Sequence, residues 1–444
     1  MNKAELTAAV IFTLLFSALA GSQVIHFSTA NFFPHPGPDL PRIYIKNDGS
    51  IEPQTAPIER SGSLYRLTDN LILYTIEIQR DDIILDGSDY VIQGNASWMG
   101  TAPRSNDAGN NGIIIADRNN ITITGLNIER FTTGVRISNS SHIAIVGNLF
   151  NNETANFDAP IGIAITESSL VLIENNNFTN IHGSAIFCKG TNNTIRRNNL
   201  SNAAASVDGS VHLEGSSNTV SDNKIESWFP IVLDKADSNT VARNNISGSA
   251  YQSYGGSEGI ALFSQCSNNM IFGNNITGFA GQAIRTVFSC SNNTFYGNYL
   301  ADNGFAVVLQ EGATNNRFYG NTFAADSCNV SIYDVESNFW DNGTLGNYWG
   351  DYTGADGNGD CIGDSPHKLD GFKWDTDVGG FVSSPAGQDN YPLMAPYDFE
   401  HETVILPKAE LFLAVLVAVS IGVAIAAVGL LLYNRKRRKE ARQK

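Results

Sequence analysis

The sequence is poor in the residues that cross-link chains or bind soft metal ions. Its 444 residues contain only five cysteines, four methionines and seven histidines. An odd number of cysteines cannot pair completely within one chain, so a full disulfide framework is excluded. Basic residues are also scarce, with 28 Lys and Arg against 44 Asp and Glu, a net charge of -16. Nucleic acid is therefore not an expected partner, because phosphate binding needs a basic surface.

Long apolar runs are confined to the two ends of the chain. An apolar run extends from Leu6 to Leu19 and overlaps the small-x-small triplet Ala18-Leu19-Ala20. This pattern predicts a signal peptide over 1–20, with an uncleaved anchor as the alternative. Residues 411–433 contain no charge and are long enough to cross a bilayer as one helix. A buried globular helix is the alternative there. The basic tail 434–444 follows at once and places that end in the cytoplasm.

These two segments predict a single-pass plasma-membrane protein whose main domain is extracellular. Twelve Asn-x-Ser/Thr sequons agree with a glycoprotein, although an Asn-rich repeat produces many of them by chance. The membrane is thus one expected partner. Extracellular polysaccharide or envelope proteins are the others.

One sequence unit recurs through the middle of the chain, where no stretch has helical periodicity. Asn193-Thr-Ile-Arg-Arg-Asn198-Asn-Leu200 is followed by Asn218-Thr-Val-Ser-Asp-Asn223-Lys-Ile225. The spacing between successive units is 21 to 30 residues. The second asparagine of the unit recurs at Asn148, Asn176, Asn198, Asn223, Asn244, Asn274, Asn298 and Asn321.

A further short strand lies between the units, as in Val135-Arg-Ile137 and Val211-His-Leu213. Two or three short alternating strands per turn, separated by Gly, Asn and Ser, predict a parallel β-helix with a shared apolar core and an asparagine ladder at a corner. A leucine-rich repeat or a propeller would need a different consensus or a longer period. The predicted fold is all-β: a single-stranded right-handed parallel β-helix with an N-terminal β cap and one C-terminal transmembrane helix.

The predicted domain order follows from these patterns. After the signal peptide come an N-terminal β cap over 21–80, the β-helix repeats over 81–345 and a C-terminal cap with an acidic loop over 346–400. A linker over 401–410 leads to the transmembrane helix.

Several motifs resemble the NosD-type β-helix family. They are Asp82-Ile-Ile-Leu-Asp-Gly87, the asparagine ladder, Gly346-Asn-Tyr-Trp-Gly-Asp-Tyr352 and Asp389-Asn-Tyr-Pro-Leu-Met394, within roughly residues 40–398. The resemblance implies the fold and a prokaryotic cell-surface setting. It also implies either a copper-enzyme maturation accessory or a carbohydrate-binding or sugar-hydrolysing protein. Copper itself is not predicted, because the sequence has no His-x-His, Met-rich or Cys-x-x-Cys run.

An acidic loop offers the clearest metal-binding pattern. Oxygen ligands recur at every second position, and the resulting set is Asp356, Asn358, Asp360, the Ile362 carbonyl and Asp364. This spacing predicts a structural Ca²⁺ loop, with a plain acidic turn as the alternative. The family motif usually has Gly where Cys361 stands, and the loop lacks the final Glu of an EF-hand.

Two other kinds of side chain are candidates for a glycan site. Glu214 and Asp234 fall on adjacent turns, so they are a weak candidate pair for glycoside chemistry, although a solvated acidic edge is the simpler interpretation. Four aromatic residues are candidates for stacking on sugars: Tyr296, Tyr319, Trp340 and Trp349. A turn-on-turn ladder and a plug at the end of the coil are the alternatives.

Cys266 and Cys290 occupy the same place in successive units, which predicts a disulfide between them. For function, the sequence favours a non-catalytic surface protein that binds cell-envelope or extracellular polysaccharide. A glycoside hydrolase or lyase that uses the carboxylates is the second hypothesis, and a copper-enzyme accessory is the third.

Overall fold

The computed structural model of the protein describes residues 40–94, 110–151, 160–203, 209–248, 256–310, 312–324, 326, 330–333, 337–375, 377–378, 380–398 and 403–404. The predicted signal peptide, transmembrane segment and basic tail lie outside these residues. Among the described residues there is no helix long and apolar enough to cross a membrane. Their regular secondary structure is β-strand throughout.

The strands fall into three stacks, which we call faces 1, 2 and 3. Face 1 contains β6 (Thr75–Ile78), β9 (Asn111–Ala116), β12 (Thr133–Ser138), β15 (Ile161–Ser169), β18 (Ile186–Thr191), β21 (Val211–Ser216), β24 (Ile231–Asp237), β27 (Glu258–Phe263), β30 (Gln282–Thr286), β33 (Phe305–Gln310) and β36 (Val330–Tyr333). Face 2 contains β7 (Ile83–Asp86), β10 (Asn119–Thr124), β13 (Ser141–Val146), β16 (Leu172–Glu174), β19 (Thr194–Arg196), β22 (Thr219–Ser221), β25 (Thr240–Ala242), β28 (Met270–Phe272), β31 (Thr294–Tyr296) and β34 (Arg317–Tyr319). Face 3 contains β8 (Val91–Gln93), β11 (Asn127–Glu129), β14 (Leu149–Asn151), β17 (Asn177–Thr179), β20 (Asn199–Ala203), β23 (Lys224–Ser227), β26 (Asn245–Gly248), β29 (Asn275–Thr277), β32 (Tyr299–Ala301), β35 (Thr322–Ala324) and β37 (Tyr348–Trp349).

The remaining strands lie at the two ends of the stacks. Before them come β1 (Arg42–Ile45), β2 (Ile51–Glu52), β3 (Ile58–Ser61), β4 (Leu64–Leu67) and β5 (Leu71–Ile72). After them come β38 (His367–Asp375), β39 (Gly380–Asp389), β40 (Tyr397–Asp398) and β41 (Thr403–Val404).

Each strand of a face pairs in parallel with the strand one turn further on. Val135 of β12, for example, is opposite Ile113 of β9 and Ile163 of β15. About ten turns, from β6 to β35, repeat this arrangement. The predicted parallel β-helix is therefore confirmed. Parallel stacking also begins earlier than residue 81, because β1, β4 and β5 already pair with β6, β7 and β8.

The inward-facing side chains of the three faces make one continuous apolar core. Strand residues alternate between the two sides, so inward positions such as Ile137, Ile165 and Leu213 are fully buried while their neighbours face outward. Aromatic rings stack along the axis, as in Phe150 on Phe178 with ring centroids 4.7 Å apart. Stacking of like residues at one turn's rise follows directly from the sequence repeat.

Two asparagine ladders hold the corners of the coil. The ladder between faces 2 and 3, the first ladder, contains the predicted asparagines from Asn148 to Asn321 and continues to Asn347. The second ladder, between faces 1 and 2, runs from Asn193 to Asn338. In both, each side-chain amide donates to the next asparagine's Oδ1 at 2.9–3.1 Å. This network satisfies amides at corners where no sheet bond is available.

Two aromatic predictions fail at the C-terminal end. Trp340 and Trp349 are each only 1% exposed, so neither can stack on a sugar. Trp340 lies on Phe318 at 4.7 Å and Trp349 on Phe323 at 4.4 Å between ring centroids. The large rings cover the last turn of the core, and their prediction as carbohydrate-binding residues is wrong.

The predicted disulfide is also absent from the structure. Cys266 and Cys290 are buried free thiols. The Cys290 sulfur accepts the backbone N–H of Cys266 at 3.2 Å, and the Cys266 thiol donates to the Phe263 carbonyl at 3.0 Å. Side chains in one column of a parallel stack point in the same direction and not toward each other. Each of these two sulfurs makes a hydrogen bond with a backbone group, as the ladder asparagines do.

Candidate functional site

The outer surface of face 1 carries polar side chains that are unusually buried for an outward-facing position. The exposed fractions are 8% for His212 on β21, 4% for Glu258 on β27 and 9% for Gln310 on β33. Outward-facing charged residues normally stay solvated, and they are rarely buried unless paired. This part of face 1 is therefore the first place to look for a functional site.

A cluster of four ionisable side chains lies on β18, β21 and β24. Within the described residues, His212, Glu214 and Asp234 form the one group of three His, Cys, Asp or Glu side chains whose ligand atoms all lie within 4.8 Å of one another. Glu214 Oε1 is 3.7 Å from His212 Nε2. Its other oxygen, Oε2, is 2.8 Å from Lys189 Nζ. We call these four residues the acid–histidine cluster.

The cluster holds Glu214 firmly in its ionised form. The nearby His212 imidazole, together with Lys189, lowers the pKa of Glu214 to about 2 against the opposing effect of burial. In turn, the Glu214 carboxylate raises the pKa of Lys189. Both groups are therefore charged at any physiological pH.

A local irregularity of the sheet lies at Glu214 and Asp234. The register between β21 and β24 pairs Leu213 with Leu233 but Gly215 with Ala236, so two residues of β24 oppose Glu214 alone. This is a β-bulge, a feature that commonly re-aims a side chain. Lys235, the second residue of the bulge, has a φ of 50°, in the left-handed region. The sequence predicted that Glu214 and Asp234 are close, but it did not place His212 beside them.

A second polar cluster lies further along face 1. Arg285 on β30 donates from Nη1 to Glu258 Oε1 at 2.6 Å and from Nη2 to Gln310 Oε1 at 3.1 Å. Its guanidinium also lies over the Phe263 ring, 5.6 Å from the ring centroid. These contacts fix Arg285 on the outer surface, three strands along the stack from His212.

An apolar patch separates the two polar clusters. Phe229, Val232 and Ala261 pack together with the half-buried rings of Trp228 and Phe263. Several polar atoms around the patch are buried and make no hydrogen bond: Trp228 Nε1, Asp234 Oδ1, Glu258 Oε2 and Gln282 Oε1. Such atoms are costly to leave unpaired and are rare in native proteins. The two polar clusters and this patch are together called the face 1 strip.

Tyr296 and Tyr319, the other predicted sugar-binding rings, lie on face 2 and not in the strip. Their centroids are 5.3 Å apart and their planes nearly parallel, and Phe272 stacks on Tyr296 at 4.8 Å. The flat faces of the rings therefore cover one another. This is the side-chain ladder that the sequence left as the alternative, and Tyr296 has a ring on each of its two faces.

The carboxylates of the acidic loop accept hydrogen bonds from the loop's own backbone N–H groups. Asp356 accepts the backbone N–H groups of Gly359 and Cys361 at 2.7 and 2.9 Å. Asp360 accepts from Ile362 N–H at 2.9 Å, and Asp364 from Gly357 N–H at 2.7 Å. The predicted ligands are close neighbours, and each carboxylate already holds the turn.

Comparison with solved structures finds other β-helix proteins. The periplasmic alginate epimerase AlgG is 15% identical with a TM-score of 0.43, and the match covers 64% of this chain and 79% of that one. The alginate lyase AlyF-OU02 is 14% identical with a TM-score of 0.43, covering 61% and 71%. The surface adhesin PfbA of Streptococcus pneumoniae is 11% identical with a TM-score of 0.41, covering 78% and 89%. No curated protein sequence matches the chain.

The model of the family described as periplasmic copper-binding protein (NosD) matches residues 157–354. That description implies copper, and no cluster of sulfur and imidazole donors, the set that suits Cu(I), occurs among the described residues. The acid–histidine cluster has one imidazole and two carboxylates without sulfur, and Cys188, Cys266 and Cys290 are sealed in the core. The family match and the stacked parallel strands agree on the architecture. Residues 157–354 therefore match the NosD family model, and the fold is a parallel β-helix.

Proposed function

We propose that the protein is a non-catalytic, surface-displayed β-helix that binds an extracellular or cell-envelope polysaccharide along the face 1 strip. The observation that supports this most is the order of groups along the strip: a charged cluster, an apolar aromatic patch and a second charged cluster. Carbohydrate sites need both kinds of surface, because a sugar presents hydroxyl groups at its edges and C–H groups on its faces. Sites for organic ligands generally combine an apolar lining with a few fixed polar groups.

The length of the strip suits a polymer better than a small molecule. From Lys189 on β18 to Gln310 on β33 there are five steps between neighbouring strands of face 1. At ~4.8 Å for each step, the strip is ~24 Å long. Lys189 and Arg285 place a cation in each of its polar clusters. We therefore expect a linear glycan with acidic or hydroxyl-rich units.

The charge state of Glu214 argues for binding over hydrolysis. A general acid must hold a proton at the working pH, which requires a raised pKa. Glu214 has a pKa of about 2 instead, since His212 and Lys189 both stabilise its charged form. Glu214 therefore does not supply the general acid of a glycosidase pair.

Membrane attachment is a separate part of the proposal and rests on sequence alone. Residues 411–433 would anchor the chain, with the β-helix outside the cell and 434–444 in the cytoplasm. Protease added to intact cells should then remove the β-helix domain and leave the basic tail intact. Digestion of the tail under those conditions would contradict this orientation.

A glycan array with the full-length protein tests the binding function. Arg285→Ala should weaken the binding of any glycan that the wild type retains by ~10-fold or more, because a half-buried cation held by hydrogen bonds is lost. Arg243→Ala is the matched control: Arg243 also pairs with a carboxylate, Asp222, at 2.9 and 3.1 Å, but on an exposed corner away from face 1. Equal losses in the two variants would reject the strip as the binding surface. If the wild type releases new reducing ends or unsaturated sugars and Glu214→Gln does not, the function of the strip is catalysis and not binding alone.

A further inference from the structure

We propose that His212, Glu214 and Asp234 form a binding site for a divalent metal ion of intermediate hardness, for which Zn²⁺ is the reference. The three side chains come from two neighbouring strands, β21 and β24, and each offers one ligand atom. This site does not depend on glycan binding, and it differs in donor chemistry from both the acidic loop and a copper carrier.

The spacing of the ligand atoms is close to what a tetrahedral ion requires. With bonds of ~2.0–2.2 Å, two ligands of a tetrahedral Zn²⁺ ion are ~3.3–3.6 Å apart. Glu214 Oε1 and His212 Nε2 are already 3.7 Å apart. All three ligand atoms lie within 4.8 Å of one another, so Asp234 has to move by little more than 1 Å, roughly a side-chain rotation.

A second and independent observation is the state of Asp234. Its Oδ1 atom is buried and makes no hydrogen bond, and its Oδ2 atom is 4.0 Å from Lys235 Nζ. A buried carboxylate oxygen without a partner costs free energy. A metal ion bound between Asp234 and Glu214 would supply the missing partner and offset that cost.

Strand pairing places Asp234 beside Glu214. Leu213 pairs with Leu233, so the next residues, Glu214 and Asp234, are neighbours one strand spacing of ~4.8 Å apart along the stack. The bulge places Asp234 and Lys235 together opposite Glu214, with Lys235 in a left-handed conformation. Bulges next to functional sites commonly re-aim a side chain in this way.

The donor set decides which ions the site prefers. One imidazole nitrogen with two carboxylate oxygens suits Zn²⁺, and it leaves a fourth tetrahedral position open. Ca²⁺ and Mg²⁺ prefer oxygen ligands alone, and Cu(I) prefers thiolate or thioether sulfur. Lys189 opposes metal binding through its positive charge, since its ammonium lies 2.8 Å from the other carboxylate oxygen, Glu214 Oε2.

Isothermal titration of metal-stripped full-length protein with Zn²⁺ tests the site. The wild type should bind with an affinity that His212→Gln and Asp234→Asn each weaken by at least ~100-fold. Lys189→Gln should strengthen binding by ~10-fold, because it removes the positive charge beside Glu214; a purely structural ion pair predicts no gain. His142→Gln is the matched control, since His142 is an exposed histidine on β13 of face 2, and it should leave the affinity unchanged.

Circular dichroism of each metal-free variant separates loss of a ligand from loss of the fold. A wild type that does not bind Zn²⁺ at 1:1 overturns the proposal, and so does equal affinity in the His212→Gln and His142→Gln variants. Tight Cu(I) binding that disappears in His212→Gln would also overturn it, because a soft ion would then be the occupant of these residues. If the His212→Gln variant does not fold, the Zn²⁺ affinity of Lys189→Gln still tests the site, because the proposal requires that affinity to rise.

Discussion

Asp389 ends the first asparagine ladder by accepting the backbone N–H of Asn347 on Oδ2 at 2.6 Å. The same oxygen accepts the indole N–H of Trp349 at 2.8 Å, while Oδ1 accepts the N–H of Tyr391 at 2.9 Å. A carboxylate thus closes a column of amides at the point where β39 folds back on the coil. Burial raises the pKa of Asp389 from 3.8 to about 6, against the opposing effect of these hydrogen bonds.

The raised pKa predicts a loss of stability as pH rises through about 6. Between pH 4 and 6 the folded state holds a proton on Asp389 that the unfolded chain has released. The stabilisation from this proton is therefore complete below pH 4 and is lost as the pH rises through about 6. A shift of about two pKa units corresponds to ~3 kcal/mol. Asp389→Asn, which cannot ionise, should remove this part of the pH dependence in urea unfolding at pH 4.5 and pH 7. Parallel pH profiles for wild type and variant would contradict the assignment.

Loss of one ladder asparagine should destabilise the whole coil. Asn223 donates from Nδ2 to the Ile195 carbonyl at 3.0 Å and to Asn244 Oδ1 at 2.9 Å, and its own Oδ1 accepts from Asn198. Asn223→Ala leaves buried polar groups on both neighbouring turns unpaired. We expect ~2–4 kcal/mol lower stability, measured as the shift of the urea midpoint.

Asn245 provides the control for that substitution. It is exposed on β26 and accepts a single side-chain bond, from Asn275 at 3.1 Å. Asn245→Ala should change stability by less than ~0.5 kcal/mol, as usual for an exposed polar residue. If Asn223→Ala and Asn245→Ala unfolded at the same urea midpoint, a ladder asparagine would contribute no more stability than an exposed one.

The architecture could be predicted because the signals repeat. Each turn repeats the same alternation of apolar and polar residues and the same asparagine. A prediction error in one turn, such as the start of the β-helix at residue 81, therefore does not change the predicted fold. Trp340 and Trp349 could not be placed in this way. Each occurs once, beyond the repeat, and a large aromatic residue serves equally well as a sugar platform or as a plug until its burial is known.

The candidate site was only partly predictable for a different reason. Glu214 and Asp234 were recognised as neighbours from the repeat length, but no sequence motif singled out His212. His212 and Glu214 are two positions apart on β21, so they share the outer side of the sheet. The sequence marks the bulge by one extra residue, because Asp234 and Asn239 are five positions apart where Glu214 and Asn218 are four, but only the structure places it at Lys235.

A core threonine should gain stability when its hydroxyl is removed. Thr286 faces inward between Leu262 and Leu309 of the neighbouring turns, and its buried Oγ1 makes no hydrogen bond. Thr286→Val keeps the shape and removes the unpaired group, so we expect ~1 kcal/mol higher stability. Thermal unfolding of the purified full-length protein measures this change.

Thr75 is the matched control for Thr286. It is also buried, but its hydroxyl donates to the Asn111 carbonyl at 2.6 Å. Thr75→Val should therefore lower stability by ~1 kcal/mol. The opposite signs of the two changes are the result to look for; a loss in both variants would show that the Thr286 hydroxyl has a partner in solution.

The acidic loop remains a predicted Ca²⁺ site, and its own hydrogen bonds make the test sharper. If Asp356, Asn358, Asp360, Asp364 and the Ile362 carbonyl bind Ca²⁺ in the folded state alone, chelation should lower the melting temperature. At a hundredfold excess of Ca²⁺ over the dissociation constant, the binding contributes ~2.7 kcal/mol. Asp360→Ala should abolish this response to chelator.

The control for that variant is another aspartate that holds a turn. Asp341 accepts the backbone N–H of Gly343 at 2.9 Å and the side-chain amide of Asn390 at 2.8 Å, outside the acidic loop. Asp360 likewise holds its turn through the Ile362 N–H, so both alanine variants should melt at a lower temperature than the wild type. Only Asp341→Ala should still respond to chelator. A wild-type melting curve that is indifferent to chelator would make the loop an ordinary acidic turn, in which the carboxylates serve only the backbone amides they already accept.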